Sequence, residues 1–375
     1  MPVVAINKKH MSENTWDDIM TVISWSFQCL ASGQFPTKRH SGTAWNKTDS
    51  YRKRLSGKPI GMRGILAEVR ADWQFLALTF KFPSHNLGAG CCWRCKVTPK
   101  TLRDFSLTAP WRQPEERLDH WGLMARWQEQ GVEPSPLLAC PFLVSSCFAI
   151  DWLHAVDQGV APDFLGNLFW HVLPLLGPNK KAQVSALFLR VQEYYKAHPA
   201  VDSRYDDLTV QMLKKPKCGP KLRGRAAEVR GLVPFGVQLS DELLTGGDQI
   251  SLTICRCAKH LLGAYDQLSS NSFSSDSLQL HVRQFCVLYS ALEDIQTNPK
   301  LKLWRVKPKF HLFCELAVEG NCPSLQWTYR DEDFGGTAAK VSRRRGGKNS
   351  VLSMGTNFLS KFLAKSALPN FASMT

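Results

Sequence analysis

Acidic residues are scarce in this 375-residue chain: 32 Asp and Glu face 47 Lys and Arg, a formal net charge of +15 and a pI near 9.3. The deficit argues for a polyanionic partner, nucleic acid before others, and says nothing of the fold. Long apolar runs are missing too. No stretch approaches the roughly 18 uncharged residues needed to cross a bilayer, so no membrane span is expected. The opening segment, MPVVAINKKHMSENTW, holds neither the apolar centre nor the small-residue cleavage site of a secretory leader. An intracellular address is therefore expected, nuclear in a eukaryotic cell that expresses the protein. The 12 cysteines then read as buried thiols with one metal site, not as a disulfide framework. No Walker A, G-x-S-x-G or G-x-G-x-x-G motif occurs, which removes support for nucleotide hydrolysis and serine-hydrolase chemistry. No repeat recurs at a fixed period.

What is present is material for a packed core: 44% of the residues are hydrophobic and 12 are tryptophan, enough for one large domain or two ordinary ones. The pattern predicts a helix after Ser12, with Trp16, Ile19, Met20, Ile23, Phe27 and Leu30 at helical spacing and Gly33 just past its end. Helical pattern begins almost at Met1 with no lead-in, which suggests a piece of a longer protein. A basic loop over 34–59 follows, then a second helix over Met62 to Phe80. Residues 84–112 are irregular, and Pro114 opens a short helix through Trp127. An apolar run, Phe142 to Ile150, predicts a buried strand ending at Asp151. Helical stripes fill Pro162 to Thr297, interrupted over 202–250 by glycine and charge. Four regions are expected: 1–83, helical with a basic loop; 84–159, a Cys knuckle and a core strand; 160–305, a helical block; 306–375, shorter elements and a basic final helix.

Three constellations carry chemistry. In CFAIDWLHAVDQG (147–159), Asp151 and His154 are three apart, so one helical turn sets them on one face, where carboxylate and imidazole can hold a divalent cation. The plainer alternative makes Asp151 a helix N-cap and His154 a satisfied, half-buried imidazole. In GCCWRC, Cys92 and Cys95 form a C-x2-C turn that supplies two of the four ligands of tetrahedral zinc. His85, His120 and Cys140 are the nearest candidates to complete it, and His120 with one of the others is preferred; the alternative is structural thiols. In WTYRDEDFGG (327–336), Asp331, Glu332 and Asp333 precede Arg343, Arg344 and Arg345. Acids that hold a cation and bases that neutralise phosphate make sense side by side at a nucleic-acid site. The alternatives are acids at a helix N-terminus and a solvated basic face. A second basic block, KKPKCGPKLRGR, places Lys214, Lys215, Lys217, Arg223 and Arg225 on a loop that binds phosphates through counterion release or serves as a mobile linker.

Taken in order, the C-x2-C knuckle, the strand ending D-x-x-H, the long helical stretch, the KPKFHL unit and W-x-Y-x-x-E resemble the catalytic core of the plant-type CACTA (En/Spm) transposases, over roughly residues 60–345. The resemblance implies an RNase H-like fold: an α/β chain, mostly helical, with a partial sheet interrupted by a large all-α insertion at about 160–305. It implies that Asp151 is the second metal-binding acid and Glu332 the final one, with His154 beside them, and that three carboxylates hold two Mg²⁺ ions for phosphodiester chemistry. The sequence departs from the pattern at the first acid. Asp72 falls within a helical pattern, and Asp17, Asp18 and Asp49 have no strand before them. The expectation is a transposase-derived DNA-binding remnant, catalytically incomplete. The alternatives are a non-catalytic zinc-knuckle protein that binds nucleic acid or another partner, and an active nuclease with a hidden first acid.

Overall fold

In the computed structural model, residues 11–84, 91–296, 298–344 and 351–365 are described. Helices account for the regular structure: α1 (Thr15–Ser32), α2 (Ser50–Leu55), α3 (Trp73–Phe80), α4 (His120–Glu129), α5 (Ala161–Val172), α6 (Lys180–Ala197) and α7 (Val210–Leu213) come first. They are followed by α8 (Ala226–Gly231), α9 (Val233–Leu244), α10 (Gln249–Asp266), α11 (Ser275–Asp294), α12 (Pro308–Val318), α13 (Tyr329–Arg344) and α14 (Val351–Lys365). Among the described residues there is no strand and no sheet, so the expected RNase H-like sheet is absent. The apolar run before Asp151 contains a 3₁₀ turn, Ser145–Cys147, instead of a strand. Among the described residues its only extended pairing is a single parallel rung, in which Val69 N donates to Cys147 O at 2.8 Å and Ala149 N to Val69 O at 3.0 Å. Apolar periodicity over so short a run does not separate a buried strand from other buried chain. Here Phe148, Ala149 and Ile150 are buried without a ladder.

The chain divides into two compact units, Met1–Ile65 with Ser135–Cys140 and Thr328–Thr375, and Leu66–Pro134 with Pro141–Trp327. In the first unit, α1 ends where Gly33 takes a left-handed φ of 72° and donates back to Cys29 O and Leu30 O. The basic loop after it is tied down: Trp45 Nε1 donates to Pro36 O at 3.2 Å, and Arg39 pairs with Asp49 at 2.6 Å. Helices α13 and α14 meet through Phe334 and Phe362, with ring centroids 5.6 Å apart.

The second unit holds two aromatic clusters. Phe82 lies between Trp93 and Trp127, each stacked at 5.5 Å, with Phe148 edge-on at 4.7 Å. Trp152, Phe285, Tyr289, Phe310 and Phe313 form the other, linking α11 and α12 to the segment after Asp151. That segment, Leu153–Val160, is a π-helix that runs directly into α5. Such wide turns inside helices are uncommon and cluster at functional sites. The helix expected over Met62–Phe80 is shorter, because Asp72 caps α3 by accepting from Phe75 N at 2.5 Å and the chain before it is extended or irregular.

Candidate metal centre

Helix α12 is buried at every position from Phe310 to Ala317, and two of those positions are polar: His311 and Glu315 are 0% and 1% exposed. A polar pair in such a place needs partners, since an unpaired buried charge is costly. Four residues apart, the two share one helix face. That face meets the C-x2-C turn. Ligand atoms of Cys92, Cys95, His311 and Glu315 all lie within 4.8 Å of one another, and all four residues are buried. Tetrahedral zinc with bonds of 2.0–2.3 Å sets its ligand atoms about 3.3–3.8 Å apart, so a small contraction would satisfy it.

The turn is held by several contacts. Arg94 N donates to Cys92 Sγ at 3.2 Å, Trp93 is locked in the aromatic cluster, and Arg126 Nη1 donates to Cys92 O at 3.2 Å. Lys96 N bonds Glu116 O and Leu118 N bonds Arg94 O, both at 2.8 Å, which lays Arg117 alongside the turn. Arg117 then makes a two-pronged ion pair with Glu315, 2.7 Å on each side. A second ion pair, Arg94 to Glu319 at 2.5 Å, ties the same turn to the end of α12.

Without a metal the quartet is a hydrogen-bonded charge network. Burial works against ionising Glu315, but bonds from His311 and Arg117 outweigh it and hold the carboxyl at about 2. Burial likewise opposes charge on His311, but Cys92 and Glu315 raise it to about 10. Burial would raise Cys92, yet the bond from Cys95 and the nearby imidazole bring it down. Cys95, donating to Cys92 and buried, is pushed up. One thiolate, one imidazolium, one carboxylate and the Arg117 guanidinium sum to zero. A divalent cation that displaces the protons of Cys95 and His311 keeps the sum at zero, so the donor set suits it.

Cys92 and Cys95, singled out in the sequence, both belong to the quartet, whereas His311 and Glu315 were not among the partners expected for them. His120 sits at the start of α4 beside Trp121 and is not part of the quartet. Cys140 belongs to the other unit, bonded to Ser24 at 3.3 Å, and His85 lies outside the described residues. The available signal was the i, i+4 pair of ionisable residues inside an otherwise apolar helix.

Asp151 and His154 are bonded to each other at the start of the π-helix. The Asp151 carboxylate accepts from Leu153 N at 3.3 Å and His154 N at 3.1 Å, and His154 Nδ1 bonds the same carboxylate. Both line a cleft of about 560 Å³ with Asp72, Trp73, Gln158 and Lys309. Lys309 donates to His154 O at 2.6 Å; burial and the nearby Lys221 bring its ammonium down to about 8. Glu332 is exposed on α13, in the first unit, as are Asp331 and Asp333. Arg345 lies outside the described residues, and Arg343 and Arg344 are placed only as the end of α13. Of the other basic block, Lys215, Lys217 and Arg225 are exposed, Lys214 lies half-buried over the Trp170 ring and Arg223 is half-buried, while Leu213 and Leu222 anchor the loop. Among the described residues, no helix is long and apolar enough to cross a membrane.

No family model, no curated protein and no solved structure matches the chain.

Proposed function

We propose that this chain is a nucleic-acid-binding protein whose larger unit is stapled by one zinc ion. The observation that carries the reading is the buried quartet of Cys92, Cys95, His311 and Glu315. Two sulfur donors, an imidazole and a carboxylate in four-coordinate reach favour zinc over Mg²⁺, which prefers oxygen and water. A closed quartet leaves no open position for substrate, so the ion holds the fold together, joining a loop to a helix 216 positions away along the chain. DNA as the partner is supported by the charge of +15 and by the anchored loop that presents Lys214, Lys215, Lys217, Arg223 and Arg225. The test has two parts. Purified protein should contain about one zinc per chain, lost with both cysteines replaced by serine, and chelation should lower the melting temperature. Binding to single-stranded DNA should weaken with salt, with a slope of about −0.7 per phosphate contacted. Protein that takes up no zinc on reconstitution defeats the first part; no DNA affinity at low salt defeats the second.

One observation favours a second reading, in which the chain derives from a metal-dependent transposase. Asp72 and Asp151 each follow one of the two segments joined by the parallel rung, and both line the 560 Å³ cleft. Asp72 is then a candidate for the acid that the sequence lacks at its expected place, and Mg²⁺ would be held by carboxylates without an RNase H-like sheet. Nicking of supercoiled DNA with Mg²⁺ or Mn²⁺, lost in both Asp72→Asn and Asp151→Asn, is the expected outcome. Absence of nicking, or nicking that survives both substitutions, removes this reading.

A further inference from the structure

A second cavity in the larger unit, about 310 Å³, lies where the 214–225 loop meets the 302–307 segment, over α5 and α11. Its lining carries six cations, Lys217, Lys221, Arg223, Lys302, Arg305 and Lys307, and no carboxylate. Of the six, only Lys307 has an acidic partner among the described residues, Asp163 at 2.7 Å. Three others are held by backbone carbonyls: Lys221 by Gln158 O at 3.1 Å, Lys302 by Lys217 O at 2.9 Å, and Arg223 by Gln211 O at 3.1 Å. The ammonium of Lys217 and the guanidinium of Arg305 have no acceptor among the described residues, and both residues are exposed.

Two further features mark this place as built. Tyr289, 0% exposed, also lines the cavity; its oxygen accepts from Asn167 Nδ2 at 3.4 Å, while its proton meets no acceptor among the described residues. The backbone is held in an unfavourable form as well. Lys217, Lys302 and Trp304 have φ of 61°, 53° and 52°, the left-handed region that side chains with a Cβ rarely enter. Such residues persist where the surroundings enforce them, often at ligand clamps. Enforcement is visible: Trp304 N donates to Asn167 Oδ1 at 2.8 Å, and Gly219 lies so close to Lys302 O that a side chain there would collide with it. Burial lowers Lys221; Asp163 opposes this, while Lys307 and Arg223 add to the lowering.

We propose that this cavity is a phosphate-binding pocket, with Lys217 and Arg305 closing on the anion from its rim and Tyr289 donating from its floor. A phosphate offers several acceptor oxygens to cations and hydroxyl together, and its charge relieves their repulsion. As the seat of a backbone phosphate of a bound strand, the pocket rests on the nucleic-acid reading above; a free polyphosphate offers the same chemistry.

The experiment titrates the full chain with inorganic pyrophosphate and, separately, with a short single-stranded oligonucleotide. Lys217→Gly/Arg305→Ala keeps the left-handed backbone at 217 and removes two rim charges. Lys181→Ala/Lys196→Ala, two exposed cations on α6, removes the same charge elsewhere. Saturable pyrophosphate binding is expected, weakened about tenfold or more by the rim pair and less than about twofold by the control pair. The same ranking with the oligonucleotide places a strand phosphate in the pocket; the ranking with pyrophosphate alone keeps the pocket and assigns it to free anions. Equal losses in the two variants, or no saturable pyrophosphate binding, overturn the proposal. Pyrophosphate binding in a protein with no oligonucleotide affinity ends the nucleic-acid reading and leaves the pocket standing. Unchanged melting temperatures confirm that both variants fold.

Discussion

Arg117 bears on the quartet without belonging to it. It grips both oxygens of Glu315, fixing the carboxylate's orientation toward Cys92, Cys95 and His311. Outer partners of this kind are worth about 10–100-fold in metal affinity when removed. Arg117→Leu should therefore weaken zinc by that order in a competition with a chromogenic chelator. Arg103→Leu, which breaks ion pairs to half-buried Glu293 and exposed Asp294, should leave zinc affinity unchanged, since neither pair touches the quartet. Matching affinities in the two variants would show that Glu315 needs no holding, or that it is not a ligand. Neither arginine is distinguishable in the sequence. Each becomes informative only through a partner far along the chain, 198 positions away for Arg117.

At the scale of elements, α5 explains why the basic loop is no free linker. Its residues Ala161 to Phe169 are all buried, and Gly166 admits the loop: a Cβ there would run into the backbone of Lys221 and Leu222. Leu222 N also donates to Pro162 O at 2.8 Å. Gly166→Ala should lower stability by about 1–3 kcal/mol, as overpacking of a tight contact does. On α13, where a Cβ at Gly335 meets nothing within 4 Å, Gly335→Ala should be neutral or raise stability by up to about 1 kcal/mol through helix propensity. Thermal melts of the two variants check the contrast, and a harmless Gly166→Ala would mean that the loop is not seated on α5. Helices such as α1, α6, α10 and α11 were legible because each has an apolar stripe of the right period with a turn or cap at its ends. The stretch from Met62 to Ala71 misled for the same reason. Ile65, Leu66 and Val69 keep helical spacing, yet Asp72 starts the helix only at Trp73.

For the whole molecule, the amino-acid sequence by itself determined the excess of positive charge, a predominantly helical chain, the lack of a membrane-spanning helix among the described residues and two of the four members of the buried quartet, since each depends on composition or on neighbours a few positions apart. A resemblance built on motif order suggested a sheet, and motif order does not specify strand pairing; the segments around Val69 and Phe148 meet at one rung and go no further. Tertiary structure alone decided which residues complete the Cys92–Cys95 turn, that Asp72 and Asp151 share a cleft, and that cations from two distant loops surround Tyr289. The physical reason is the same in all three cases. Side chains far apart along the chain become neighbours only when burial of the apolar faces of α5, α11 and α12 fixes where each loop must run, and no local pattern records that outcome.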